Sequence, residues 1–123
     1  MAQRVKTFGW LLLKGRLLTN SERLRRGMTV DPTCQSCNGV VEDFDHLFKS
    51  CNLAASIWSR LLPIGMRNSF SSLDIISWLK FCLLSPLSRT WKSGIFITCW
   101  KLWSTRNNLI FNVIVTTDDC LFY

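Results

Sequence analysis

The sequence predicts a mainly α-helical protein: a small helical domain built around a knuckle of three cysteines and one histidine, with a C-terminal helical pair. Two observations predict this fold. Apolar residues recur at helical spacing in several segments, most regularly over residues 88–112. Three of the six cysteines and the only histidine fall within "CQSCNGVVEDFDHLFKSC", residues 34–51. With 123 residues, 48% of them apolar, the chain can bury a core of its own, so wholesale disorder is not expected.

The first predicted element is a basic amphipathic helix over residues 3–18, weakened at its end by Gly15. Helical spacing gives its inner face as Val5, Phe8 and Leu12, with Trp10 as a further candidate. Thr19 and Glu22 have the spacing of a capping box, in which the threonine caps the next helix and the glutamate reaches back to its start. We expect that short helix to end at Gly27.

Three helices are predicted between the cysteine segment and Pro86. Asp43 is expected to cap the first, which carries His46, Leu47, Phe48 and Cys51. Asn52 is expected to cap the second, over residues 53–62, whose apolar face is Leu53, Ile57, Trp58 and Leu61. Pro63 and Gly65 should then end it and leave a loop over residues 63–71. The third helix, residues 73–84, should begin at Ser71 or Ser72.

The last predicted helix runs from Ser88 to about Asn112 and has the strongest helical pattern. Its core-facing stripe is Trp91, Ile95, Thr98 or Cys99, Leu102, Trp103, Arg106 and Ile110. We interpret its tryptophans as packing residues. Residues 113–115 would form a short strand or the fraying end of this helix.

The spacing Cys34-x2-Cys37-x8-His46-x4-Cys51 is typical of a metal site. A C-x2-C pair on a tight turn can present two sulfurs to one ion, and Gly39 permits the positive φ that such a turn often needs. Three thiolates and an imidazole form a closed, tetrahedral ligand set for structural zinc, with no position left for a catalytic water. We therefore predict one structural Zn²⁺. Chance clustering and a redox pair stay open, although no βαβ pattern supports a thioredoxin-like unit.

The other cysteines and the N-terminus favour a reducing, intracellular location, in the nucleus or cytoplasm. Cys82, Cys99 and Cys120 are widely spaced, which does not suit a disulfide framework. The apolar stretch at residues 10–13 is too short for a secretory signal, and no run approaches the roughly 18 apolar residues of a membrane span. A mitochondrial presequence stays open, because the first twenty-one residues contain four basic groups and no acid.

The net charge of +7 is concentrated at the N-terminus. Residues 1–30 contain a single acid, Glu22, and seven basic residues: Arg4, Lys6, Lys14, Arg16, Arg23, Arg25 and Arg26. A basic surface of this kind suggests an anionic partner, most simply the phosphate backbone of RNA or DNA. The alternative is a solvated helix surface with no partner.

Beyond these patterns, residues 9–58 contain a series of motifs at fixed spacings: Trp10, Leu18-Thr19, Leu24-Arg25-Arg26-Gly27, Cys34 and Cys37, Glu42, His46-Leu47-Phe48, Cys51, and Ile57-Trp58. This series resembles the zinc-binding domain that follows the reverse transcriptase of plant LINE-type (non-LTR) retrotransposons. The family's Leu-Pro-Thr is Leu17-Leu18-Thr19 here, so the proline is missing. "CWKLWSTRNNLIF", residues 99–111, is similar to the Trp-x-x-Trp-x-x-Arg-Asn segment that follows the domain. The resemblance implies the same four metal ligands that the spacing selects.

With this resemblance, we divide the chain into a reverse-transcriptase-type zinc-binding domain, residues 1–62, and a C-terminal helical extension, residues 63–123. Polymerase and ribonuclease H catalytic residues are not recognisable, since Asp118-Asp119 lacks a palm domain and the chain has only eight acids. The single histidine, used for zinc, leaves none for a nucleophilic dyad. We therefore expect a retrotransposon-derived zinc module that is not an enzyme and binds nucleic acid non-specifically. The alternatives are a protein-interaction module linking polymerase and ribonuclease H regions, and a fragment without function.

Overall fold

The computed structural model describes residues 3–37 and 39–111, apart from the side chain of residue 111. This part of the chain contains α1 (Gln3–Leu13), α2 (Asn20–Arg25), a π-helical segment (His46–Ser50), α3 (Asn52–Leu61), α4 (Ile64–Ser72), α5 (Ile75–Leu84) and α6 (Arg89–Phe111). An isolated antiparallel bridge joins Thr33 and Val41. The predicted mainly α-helical fold is confirmed. The short strand or fraying helix end predicted at residues 113–115 lies outside the described residues. Among the helices described, none is long and apolar enough to cross a membrane.

The core forms where α1, the π-helical segment and α6 meet. The ring of Phe48 lies 6.1 Å from that of Phe8 on α1 and 6.3 Å from that of Trp103 on α6, measured between centroids. All three side chains are buried. The segment that carries the cysteines and histidine therefore packs directly on the long C-terminal helix. Residues on both sides of position 62 share one apolar core, while a boundary there stays a prediction.

A second aromatic group packs α3, α4 and α5 together and explains why α4 forms. Phe70 lies 5.5 Å from Trp58 and 4.8 Å from Trp78, measured between ring centroids. The predicted loop over residues 63–71 is therefore wrong, because Ile64–Ser72 is helical. Pro63 stands just before this helix, at a position where the N–H that proline lacks would have no helical partner. Pro63 therefore marks the start of α4 as well as the end of α3.

The N-terminal helix is shorter than predicted, but its inner face is confirmed. Val5, Phe8 and Leu12 are buried, whereas Trp10 is 52% exposed and lies on the opposite side. The helix ends at Leu13 rather than residue 18, because Gly15 turns the chain with a φ of +66°. Left-handed backbone of this kind is available to glycine at little cost and ends a helix.

Half of the predicted capping box forms at α2. The Thr19 hydroxyl accepts a hydrogen bond from the Glu22 amide at 3.3 Å, as expected. The other half is wrong, because the Glu22 carboxylate forms ion pairs with Arg25 and Arg26 instead of reaching back. Gly27, with a φ of +74°, follows the end of the helix as predicted.

The remaining helices keep their predicted order with shifted details. On α3 the buried residues are Ala54 and Trp58, while Leu53 and Leu61 of the predicted face are exposed. Cys51, rather than the predicted Asn52, stands at the cap position of this helix.

α5 begins at Ile75, not after Ser71 or Ser72. Its cap is Asp74, whose carboxylate accepts a hydrogen bond from the Ser77 amide at 3.1 Å. On α6 the stripe is confirmed for the buried residues Ile95, Cys99, Leu102, Trp103 and Arg106, whereas Trp91 is 42% exposed.

Candidate metal centre

The first two cysteines sit on a short antiparallel loop. The Cys34 amide donates to the Val40 carbonyl and the Glu42 amide to the Pro32 carbonyl, both at 2.8 Å. Gly39 closes the turn between them with a φ of +78°, as its place in the sequence predicted. The loop therefore folds back on itself and directs Cys34 and Cys37 towards the π-helical segment.

The π-helical segment places the histidine next to the third cysteine. The Asp43 carboxylate accepts a hydrogen bond from the His46 amide at 2.7 Å, which confirms the predicted cap. The Cys51 amide then donates to the His46 carbonyl at 2.7 Å, an i→i+5 bond. One such wide turn brings positions five apart onto the same side. The x4 spacing between His46 and Cys51 is thus matched by a π-helical turn, not by an α-helical one.

The ligand atoms of Cys34, Cys37, His46 and Cys51 all lie within 4.8 Å of one another. The Cys51 sulfur is 3.8 Å from the sulfurs of both Cys34 and Cys37. Disulfide-bonded sulfurs are about 2.05 Å apart, so these thiols are free. Two sulfurs bound at about 2.3 Å to one tetrahedral ion are about 3.8 Å apart, which fits the observed separations.

The imidazole of His46 supplies an independent sign that the site suits a metal. Its Nε2 atom is buried and has no hydrogen-bond partner among the described residues. A buried polar atom without a partner is costly and uncommon in folded proteins. This nitrogen and three thiols match the borderline-soft character of Zn²⁺, so the residues present fit the ion.

Burial and the start of α3 act on the thiols in opposite directions. The Asn52 amide donates a hydrogen bond to the Cys37 sulfur and lowers the pKa of that thiol. Burial raises the pKa of Cys51 to about 11, although the Leu53 amide also donates to its sulfur. The N-terminal amides of a helix stabilise negative charge, as thiolate ligands require. Because burial favours the protonated thiol of Cys51, a metal ion that binds there would have to displace its proton.

A buried ion pair next to the loop was missed by sequence reasoning. Glu42 is 1% exposed and Arg106 on α6 is 8% exposed. The Arg106 Nε lies 3.1 and 3.2 Å from the two carboxylate oxygens, and its Nη2 lies 2.9 Å from Oε1. Burial lowers the pKa of Arg106 while its bonds to Glu42 oppose that shift. The available signal was a charged residue within the apolar stripe of α6, facing inward.

The seven predicted phosphate contacts do not form a single cluster of equivalent groups. Arg25 and Arg26 form ion pairs with Glu22, and the Arg23 Nη1 donates to the Asn20 side chain at 3.0 Å. The other four are exposed and lie on α1 or just after it: Arg4, Lys6, Lys14 and Arg16. Whether any of the seven binds nucleic acid stays a prediction.

Three of these four exposed cations lie on the same side of α1 as an exposed tryptophan, and one of the three is over its ring. Lys6, Trp10 and Lys14 follow one another at intervals of four, so they lie in a row along the outer face of α1. The Lys14 amide donates to the Trp10 carbonyl at 3.1 Å, which continues the helical bonding past Leu13. The guanidinium carbon of Arg16 lies 5.6 Å from the centre of the Trp10 ring.

Cys82 and Cys99 are buried in the core, away from the four-residue cluster. Burial raises the pKa of Cys82 to about 11 and also raises that of Cys99. They behave as small apolar residues, as their surroundings in the sequence predicted. Cys120 lies outside the described residues.

Comparison with known proteins shows that the cysteine segment is similar to a described family of domains. Residues 1–58 match the family model described as "zinc-binding in reverse transcriptase". The chain is also 32% identical over 113 residues, 89% of its length, to a protein of Arabidopsis thaliana named "Putative ribonuclease H protein At1g65750". It spans 18% of that relative's length. No solved structure matches the chain significantly.

Proposed function

Because residues 1–58 belong to the family of zinc-binding domains of reverse transcriptases, we propose that Cys34, Cys37, His46 and Cys51 bind one Zn²⁺ and that this ion is structural. The observation that carries the proposal is the convergence of four ligand atoms, three cysteine sulfurs and a ring nitrogen of His46, whose buried Nε2 has no hydrogen-bond partner within the described chain. All four positions of a tetrahedral ion would be filled by protein. With no position left for water or substrate, the ion has no catalytic role, and we propose that the module is not an enzyme.

The ion would join the loop that carries Cys34 and Cys37 to the buried π-helical segment. Structural zinc contributes about 10–16 kcal/mol in zinc-finger peptides, as large as the 5–15 kcal/mol net stability of a whole domain. The loop and the π-helical segment, residues 31–51, therefore depend on the ion for their fold. Removing it with a chelator should unfold this segment.

The second part of the proposal is that the retroelement-derived module binds single-stranded nucleic acid through the outer face of α1. Lys6, Lys14 and Arg16 would neutralise phosphates without regard to sequence. Trp10 between them offers a ring on which a base can stack, and stacking of this kind accepts any base. The three cations and the exposed ring support this proposal, and the basic residues of α2 add a weaker attraction because Glu22 partly neutralises them.

A titration with a fluorescein-labelled single-stranded oligonucleotide at low salt, followed by anisotropy, tests the nucleic-acid proposal. The test variant combines Lys6→Gln, Lys14→Gln and Arg16→Gln. The control combines Arg60→Gln, Lys80→Gln and Lys101→Gln, which remove the same charge from exposed positions on α3, α5 and α6.

The test variant should bind much more weakly than the wild type, and its slope of log K against log salt should fall by about 2, since each phosphate contact on a single strand contributes about 0.7. The control should stay close to the wild type. Equal losses in both variants would show that only net charge matters. Absence of binding by the wild type would leave α1 as a solvated surface.

One observation favours a second candidate function, a protein-interaction module between polymerase and ribonuclease H regions. A cavity of about 240 Å³ lies between α3 and α6, and the exposed apolar side chains of Leu61 and Trp91 line it. If this surface docks a protein, the isolated chain should self-associate at low micromolar concentration, and Leu61→Glu should abolish the association. Light scattering that shows a monomer for both would count against this candidate.

A further inference from the structure

We propose that Arg106 on α6 is a positioning residue for the metal site, acting through Glu42, so that α6 is part of the metal-binding unit. The inference rests on the proposed zinc binding and goes beyond it, because Arg106 lies outside residues 1–58 and 64 positions from Glu42. It also assigns a task to two residues that are not among the four proposed ligands.

The guanidinium of Arg106 is held by three separate parts of the chain. Besides Glu42, its Nη2 donates to the Leu18 carbonyl at 2.7 Å and lies 3.3 Å from the Asn20 side-chain oxygen. Its Nη1 donates to the Asn107 side-chain oxygen at 2.7 Å, and its guanidinium carbon lies 4.6 Å from the Trp103 ring centre. A planar guanidinium with five donors can make this set of bonds, while a lysine ammonium has only three.

Glu42 connects the guanidinium of Arg106 to the cysteine loop. Its Oε1 accepts bonds from Arg106 and from the Asn20 amide, the latter at 2.7 Å. Its own amide donates to the Pro32 carbonyl, which is one of the two bonds that close the loop around Cys34 and Cys37. Its carbonyl accepts the Ser21 amide at 3.0 Å. Glu42 therefore fixes the loop through hydrogen bonds of both its backbone and its side chain.

The position of the pair also places Arg106 beside the thiols. Glu42 and Arg106 line one small cavity together with Cys34 and Cys51. A site with three thiolates and one Zn²⁺ has a net charge of −1, and outer residues that orient such ligands are a regular part of metal sites. If the guanidinium moved, the loop would lose its anchor and Cys34 would lose its fixed distance from Cys51.

The experiment measures the metal site of the full-length chain with two conservative substitutions and two matched controls. The test variants are Arg106→Lys and Glu42→Gln. The controls are Arg67→Lys, at an arginine that donates to the Ser59 and Leu62 carbonyls, and Glu22→Gln, at an exposed ion pair. Zn²⁺ affinity is measured by competition with a chelator. The absorption spectrum of the Co²⁺-saturated chain reports ligand geometry, which a loss of stability alone would not alter.

We expect both test variants to bind Zn²⁺ about 10- to 100-fold more weakly, the usual effect of changing a residue that orients metal ligands, and to shift the Co²⁺ bands. The controls should stay within about twofold. A variant with both substitutions should bind Zn²⁺ no more weakly than whichever single variant has the lower affinity, because both substitutions break the same contact. If one test variant fails to fold with metal, the other decides.

Unchanged affinity and spectrum in the folded test variants, with wild-type Zn²⁺ binding intact, would overturn this inference alone. A wild-type chain that binds no Zn²⁺ would overturn the proposed function and this inference with it.

Discussion

Replacing Trp58 with phenylalanine should destabilise the metal-loaded protein by about 2–4 kcal/mol. The Trp58 Nε1 donates to the Phe48 carbonyl at 2.7 Å, and both residues are buried. Losing this donor leaves a buried carbonyl without its partner, which costs about 1–3 kcal/mol. The smaller ring also leaves a void against Phe70 and Trp78, whose centroids lie 5.5 and 5.6 Å from that of Trp58, and such a void adds about 1 kcal/mol or more.

Urea unfolding with Zn²⁺ in fixed excess measures this loss. With a slope of about 2 kcal/mol per molar urea, the midpoint should fall by about 1–2 M. Trp91→Phe is the matched control, because Trp91 is 42% exposed and surface changes are usually within about 0.5 kcal/mol. If Trp58→Phe lowered the urea midpoint as little as Trp91→Phe, the hydrogen bond from the Trp58 indole to the Phe48 carbonyl would not stabilise the packing of α3 on the π-helical segment. The packing described above would then be wrong.

Three further outcomes follow from the glycines, the buried thiols and one helix cap. Gly39→Ala should destabilise the protein by about 1 kcal/mol in thermal melts because of its positive φ, whereas Gly94→Ala, in open space on α6, should stabilise it by up to about 1 kcal/mol. Cys82 and Cys99 should resist iodoacetamide at pH 8 until the chain is denatured, as mass spectrometry would show, because burial raises their pKa values. Bonds from Ser77 lower the pKa of Asp74, so its contribution to stability is present at pH 7 and is lost as the pH falls through that pKa. The stability difference between the wild type and Asp74→Ala should therefore be largest near neutral pH and shrink as the pH falls below 3.8, the ordinary pKa of an aspartate.

Short-range patterns were sufficient to select the four cysteine and histidine positions and to predict most of the helices. The caps at Thr19 and Asp43 and the glycines at positions 27 and 39 each act through bonds within a few residues, so spacing alone predicts them. The four cysteine and histidine positions were selected in the same way. Whether they converge depends on the folded loop and the π-helical turn, and the structure brings them together.

Two of the features that sequence reasoning missed depend on partners outside the local segment, and one depends on competition between neighbouring side chains. α4 is stabilised by Phe70 packing against Trp58 and Trp78, so the local signals of Pro63 and Gly65 pointed to a loop. Glu22 has two arginines within one helical turn, and these compete successfully with the capping box. The partner of Arg106 is 64 positions away, a distance over which no local periodicity carries information.

The zinc content of the purified chain, measured beside Cys34→Ser and Cys82→Ser variants, tests the central claim most directly. The two cysteines are both buried, but only Cys34 lies in the four-residue cluster. We expect about one equivalent of zinc in the wild type and in Cys82→Ser, and its loss in Cys34→Ser. A folded wild-type chain without zinc, or one that keeps zinc after Cys34→Ser, would contradict the assignment of the site.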